Sequence, residues 1–408
     1  MNSPLPASAS PRDNAPDISR PRSSMQDRNR WGAVVLVAAA TFIVVAAEMM
    51  PVGLLTPMSG SLRESEGTVG LSLTITGVAA AVTAPFVPIV TGRIDRRSTL
   101  IALMTLVAAA NALTAIAPSF LILAIARVIL GVSMGGVWAL AASLAPKLVS
   151  SRSLGLATTI IFSGIAVASV LGVPVGTFIG DAVNWNAAFW VLAAAATAIA
   201  LAMAIVLPEM PSTTTIPLGA LALAFRNPGV RAGLAITALL VIVHFAAYTY
   251  VRPALETFGG FAPAVIGTML LIYGDLGILG NFVAGPISSR NSKVVAIGLS
   301  LGIAGVLALF PSVAITPVAA AISMAMWGFV YGGVSVTTQT WIAQASPEQR
   351  EAVSALWVSV FNASIAFGAF TGGRWLDGTG PAQVFWINAG IALLAVLVAV
   401  TCAPRRAS

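Results

Sequence analysis

The stretch Ala46-Ala47-Glu48-Met49-Met50-Pro51-Val52-Gly53-Leu54-Leu55 is apolar apart from one acid. Upstream of it, Trp31 to Val45 carries no charge. About 20 apolar residues cross a bilayer as a helix, so this run predicts a membrane span with Glu48 inside it. A carboxylate at such depth costs roughly 2.5–3.5 kcal/mol on insertion scales, and is kept neutral, paired or facing water. Glu48 is therefore a candidate proton or substrate site.

The rest of the chain reads the same way. Of 408 residues, 58% are hydrophobic and 9% charged, against about 25% charged in a soluble domain. A net charge of +7 would suit nucleic acid, but the basic residues gather in a tail and in short loops between apolar runs. That pattern orients a membrane protein. One cysteine, Cys402, and one histidine, His244, exclude an internal disulfide and a His/Cys metal cluster. No cofactor is implied. Glycine-rich segments lack P-loop spacing, which argues against ATP-driven transport. Residues 1–30, rich in proline, serine and arginine, read as a disordered cytoplasmic tail without a cleaved signal peptide.

Twelve segments meet or approach the spanning length: 31–56, 69–91, 98–117, 119–145, 154–180, 187–207, 231–254, 263–287, 293–311, 314–343, 352–376 and 382–403. Tight turns at Pro118 and Pro311 must split two long runs. The proline-rich connection 208–230 divides the chain into a first bundle, 31–207, and a second, 231–403, with a short tail at 404–408. With the N-terminus inside, seventeen Lys and Arg residues fall in inner segments and three, Arg63, Arg252 and Arg374, in outer ones. Both termini are then cytoplasmic.

The halves repeat. Gly131-Val132-Ser133-Met134-Gly135-Gly136-Val137 matches Gly328-Phe329-Val330-Tyr331-Gly332-Gly333-Val334, and Phe189-Trp190 matches Phe385-Trp386. Gly92 to Arg97 corresponds to Gly285 to Arg290. Two six-helix halves around a midplane site are the build of a secondary transporter.

Particular residues carry a family likeness. The Asp95-Arg96-Arg97 turn, with Gly92 three residues ahead of Asp95, resembles a shortened form of the cytoplasmic loop signature of the major facilitator superfamily. Arg127 with Gly131 resembles the fourth-helix motif of its proton-coupled members. Gly164, Gly172, Pro174, Gly176 and Gly180 resemble its antiporter motif, with Gly172-Val173-Pro174 in place of an adjacent Gly-Pro pair. Glu48-x-x-Pro51-Val52, Trp138-Ala139, Phe225-x-x-Pro228-Gly229-Val230 and Thr249-Tyr250-x-Arg252-Pro253 are similar to the purine ribonucleoside and sugar efflux subgroup of the twelve-span drug:H+ antiporters. The resemblance covers the chain after the tail. It implies an all-α membrane fold, twelve helices in two pseudo-symmetric six-helix bundles, acting as a monomer in the cytoplasmic (inner) membrane. It also implies proton-coupled efflux of a small organic solute: purine nucleosides, drugs or sugars. An uncoupled facilitator on the same fold is the alternative. An enzyme is disfavoured, because the one His and one Cys lie far apart in sequence.

Glu48 and Arg127 each lie eight residues from the outer end of their spans, about 12 Å deep at 1.5 Å per residue. That equal depth predicts a pair that trades a proton as the helices approach and part, with a static ion pair as the alternative. Asp275, flanked by Gly274 and Gly277, is a second intramembrane acid: a further protonation site, a partner for His244, or, as the bland alternative, a cap on a broken helix turn. His244 and Tyr248, and likewise Trp327 and Tyr331, are spaced to share a helix face. With Trp138 they are candidates to stack on flat cargo; packing aromatics is the bland alternative. Gly92, Asp95, Arg96 and Arg97 read as a cytoplasmic gate, with Glu351 and Glu348 as partners for the arginines.

Overall fold

The computed structural model describes residues 29–90, 94–150, 153–211 and 223–402. Six helices make the first half: α1 (Trp31–Leu62), α2 (Glu66–Val90), α3 (Arg96–Ala115), α4 (Phe120–Leu148), α5 (Leu154–Ala182) and α6 (Trp185–Val206). The second half holds α7 (Pro228–Tyr248), α8 (Val251–Gly259), α9 (Pro263–Val313), α10 (Pro317–Ala345), α11 (Arg350–Thr379) and α12 (Pro381–Thr401). Most of the predicted tail and part of the linker lie outside the described residues.

Local chemistry sets the breaks. Arg63 ends α1 in the left-handed conformation, φ 58°. Asn184 accepts the Ala187 N–H to start α6, and Asn227 accepts the Gly229 N–H ahead of Pro228 to start α7, as N-cap side chains do. Pro118 does fall between α3 and α4. Pro311 instead lies inside the last turn of α9, and the break comes at Thr316, which caps α10 just before Pro317. Proline suits the first turn of a helix, where its missing N–H costs nothing.

The chain departs from the expected spans at the seventh. The seventh ends at Tyr248, and after a break at Thr249–Tyr250 the short α8 follows. The eighth and ninth run together as α9, whose 51 residues would reach about 76 Å at 1.5 Å each, over twice the ~30 Å hydrocarbon core. Its two limbs part at Asn291 (φ −151°, ψ 81°), within the expected break between 287 and 293, and the Asn291 side chain accepts the Val294 N–H at 3.2 Å and so restarts the helix. Eleven helices among the described residues are long and apolar enough to cross a membrane. One is α9, which supplies two crossings.

Packing repeats as the sequence does. α1 packs on α5 as α7 packs on α11, and α2 on α4 as the first limb of α9 on α10. The glycine ridges are the reason. A Cβ at Gly131 or Gly135 would strike the α2 backbone around Thr76 and Ala80; one at Gly328 or Gly332 would strike α9 at Tyr273 and Gly277. Small residues let helix backbones approach where lipid gives no hydrophobic drive. The halves meet along α2–α11 and α5–α9.

Candidate functional site

Glu48 is 3% exposed on α1 and Arg127 1% exposed on α4. They are within electrostatic reach of each other, yet form no direct ion pair. Arg127 Nη1 donates to the Ala47 carbonyl at 2.9 Å, one residue short of the acid, and its guanidinium lies 5.0 Å over the Phe189 ring. Glu48 Oε1 and Arg127 Nε and Nη2 are buried without hydrogen-bond partners. The expected pair is thus a pair at one remove. Two of the three guanidinium nitrogens, with three of its five N–H groups, and one carboxyl oxygen are held ready for something else. At the repeat-related position of the second half stands Met324, fully buried, so the basic charge belongs to one half only.

The second half brings aromatics to the same place. Glu48 is within electrostatic reach of Tyr331 on α10. Tyr331 stacks on His244 of α7, centroids 3.3 Å apart and planes 10° apart. Tyr248 stacks on His244 at 5.0 Å, and Trp327 meets it edge-on at 5.6 Å. Trp327 is fully buried and packs against Phe310 and Phe385, inside the second half. Trp138, half-buried on α4, makes no ring contact with this cluster among the described residues. His244 Nδ1, the Tyr331 hydroxyl and Trp327 Nε1 are also buried and unpartnered.

His244 does have a polar partner, but it is not Asp275. Tyr273 places its hydroxyl 3.3 Å from Nε2, one turn of α9 from where Gly277 meets α10. Asp275 is exposed, on the face that carries Leu279 and Phe282, one and two turns further on. It has no hydrogen-bond or ionic partner among the described residues. The reason is helical phase: Tyr273 and Gly277 face the bundle, and a residue two places from either points away.

The Asp95 turn braces the first half. Asp95 caps α3 by accepting the Arg97 N–H at 2.7 Å, and its other oxygen accepts the Met210 N–H at 2.7 Å. Arg96 is buried, with its N–H on the Met210 carbonyl at 3.1 Å. Arg97, expected to reach Glu351, donates to the Ala204 carbonyl of α6 instead. Nearby Lys147 donates to the Pro211 carbonyl at 2.8 Å. Gly92 and the Glu351 side chain lie outside the described residues.

A network that the sequence did not disclose joins the halves at the C-terminal end of α1. Arg252 of α8, 5% exposed, donates to the Gly53 carbonyl at 2.5 Å and pairs with Glu256 at 2.9 Å. Thr56 Oγ1 lies 2.7 Å from Glu256 Oε2 and 3.0 Å from Glu66 Oε1. Asp377 at the end of α11 accepts from Ser65 Oγ at 2.6 Å and the Gly67 N–H at 3.2 Å. Tyr250, in the break between α7 and α8, donates to the Ala369 carbonyl at 2.6 Å. Its ring fills the space that a Cβ at Gly70 would need, and its hydroxyl the space beside Gly373. The sequence hint was Thr249-Tyr250-x-Arg252-Pro253: an arginine in a sparsely charged segment.

Known proteins match this arrangement over most of its length. A model of the Major Facilitator Superfamily matches residues 37–354 and 256–408. The purine ribonucleoside efflux pump NepI of Salmonella paratyphi C is 31% identical over 372 residues, 91% of this chain and 94% of that protein. The transcription regulatory protein OpdE of Pseudomonas aeruginosa is 29% identical over 381 residues, 92% of this chain and 95% of that protein. A bacterial homologue of the human lysosomal transporter Spinster, in an inward-facing and unoccupied conformation, superposes with a TM-score of 0.75 at 15% identity, covering 91% of this chain and 96% of that one.

Proposed function

The chain belongs to the major facilitator superfamily, and from that premise we propose that it is a proton-coupled efflux antiporter of small organic solutes. It is a multi-pass membrane transporter. The observation that carries the coupling is Glu48: a carboxyl buried between the halves with a free oxygen, and a guanidinium near it that bonds elsewhere. Burial favours the neutral acid and a neighbouring cation favours the carboxylate. Small movements of α1 against α4 therefore decide whether Glu48 holds a proton. When the site faces one side it loads; when it faces the other it unloads, and cargo takes its place.

Loop charge sets the Thr56 end outside and both termini in the cytoplasm, in the inner membrane of the cell. The halves comprise residues 31–207 and 231–403 and rock about the site, each chain holding a complete pathway. Purine nucleosides are the first cargo class. The 31% identity to a purine ribonucleoside efflux pump supports it, as do the stacked planes of His244, Tyr248 and Tyr331 with unpartnered polar atoms at their edges. Drugs and sugars are the competing cargoes. Counterflow in proteoliposomes with inosine, an arabinose-type sugar and a cationic drug, with and without a pH gradient, tests this. Inosine exchange accelerated by an opposing pH gradient supports the reading; exchange indifferent to the gradient contradicts the coupling.

A further inference from the structure

The Thr56 hydroxyl is asked to do two things at once. It lies within hydrogen-bond distance of Glu256 Oε2 (2.7 Å) and of Glu66 Oε1 (3.0 Å). A hydroxyl carries one proton and donates one bond, though it accepts as well. If both carboxyls were ionised, one of these contacts would set a bare oxygen against a lone pair. Glu256 is already committed as a carboxylate by its ion pair with Arg252. The consistent assignment is that Thr56 donates to Glu256, and Glu66 donates its own proton to Thr56.

We propose that the closed α1 end binds one proton on Glu66, relayed through Thr56 to the Glu256–Arg252 pair, so that closing this end takes up a proton and opening releases it. The relay spans the halves: Thr56 and Glu66 come from α1 and α2, Glu256 and Arg252 from α8. The charges acting on Glu66 are Glu256 and Arg252 from α8 and Asp377 from α11. Three carboxyls thus surround one guanidinium. The Asp377 oxygens are taken up by Ser65 and Gly67, and the Tyr250 hydroxyl by Ala369. Arg63, Glu64 and Arg374 are exposed to solvent. Among the described residues no second cation is therefore drawn in to offset Glu66, and a proton does so instead. When the halves part at this end, Glu66 meets water and loses both Thr56 and the crowding carboxyls. This proton site is separate from Glu48 and does not depend on the cargo.

The test measures the gate itself. Cys402, the only cysteine, is replaced by serine, and spin labels are placed at Gly60→Cys on α1 and Gly378→Cys on α11, where added side chains meet open space. Interlabel distances are recorded for the full chain in nanodiscs from pH 5 to 9, in a Glu48→Gln background so that Glu48 cannot supply the response. One linked proton makes the closed-to-open ratio rise by up to about tenfold per pH unit on acidification. Glu66→Gln, whose amide donates permanently to Thr56, is expected to hold the end closed at every pH. Thr56→Val, which breaks the relay, is expected to abolish the pH response and favour the open form. A pH response that survives both substitutions, or none in their parent, overturns the proposal and leaves the role of Glu48 standing.

Discussion

Replacing Arg127 by methionine separates a structural ion from a working one. The side chain makes a charge-assisted bond to the Ala47 carbonyl at 2.9 Å, worth about 1.5–3 kcal/mol. Its contact with the Phe189 ring adds about 0.5–2 kcal/mol. Against those losses stands the burial of a cation with two unpartnered nitrogens. Replacing a buried ion pair by well-packed apolar groups commonly returns about 1–4 kcal/mol, and the exchange approaches that limit here because a buried Glu48 without its cation is left neutral. Methionine fits such a place, since Met324 occupies the repeat-related position. The terms nearly cancel, so Arg127→Met should change the Tm in detergent by less than about 4 °C. Exchange driven by a pH gradient should fall to background, because nothing would then draw the proton off Glu48. A melting temperature lowered by 10 °C or more, with coupled exchange intact in the protein that survives, would refute the reasoning and return Arg127 to a packing role.

Other substitutions test neighbouring claims. Gly332→Ala places a Cβ 2.7–2.8 Å from the Gly277 carbonyl carbon and Cα, so α9 and α10 must separate; a loss of about 1–3 kcal/mol should appear in thermal melts. Asp95→Ala removes the α3 cap and the bond to Met210, and should cost about 1–2 kcal/mol, read the same way. Tyr331→Phe deletes a hydroxyl with no partner among the described residues; melting should hold, while apparent cargo affinity falls roughly two- to tenfold, the worth of one hydrogen bond of about 0.5–1.5 kcal/mol. Unchanged affinity would remove Tyr331 from the cargo site.

The fold was legible because lipid simplifies it. Long apolar runs and glycine ridges at Gly131 and Gly328 report directly on spans and packing. Hydropathy placed the break between the eighth and ninth spans where Asn291 makes it, but it cannot say which proline ends an apolar run, so the displacement of the second proline turn from Pro311 to Thr316 was not predicted. Glu48 and Arg127 could be brought together from depth alone, but depth says nothing about which carbonyl a guanidinium prefers. Asp275 misled for a related reason: it lies within the expected span, but on the outward face of α9, while Tyr273 two residues earlier faces inward. The Thr56–Glu66–Glu256–Asp377 network joins residues up to 321 positions apart, and no local pattern announces such contacts.

The central claim is that Glu48 exchanges the coupled proton. Glu48→Gln keeps the shape and removes the titration. In proteoliposomes it should still swap labelled for unlabelled cargo at a rate near wild type, yet show no accumulation against a gradient. The unmodified carrier should reach up to about tenfold accumulation per pH unit for each proton exchanged. Accumulation by Glu48→Gln that tracks the pH gradient as the wild type does would contradict the account.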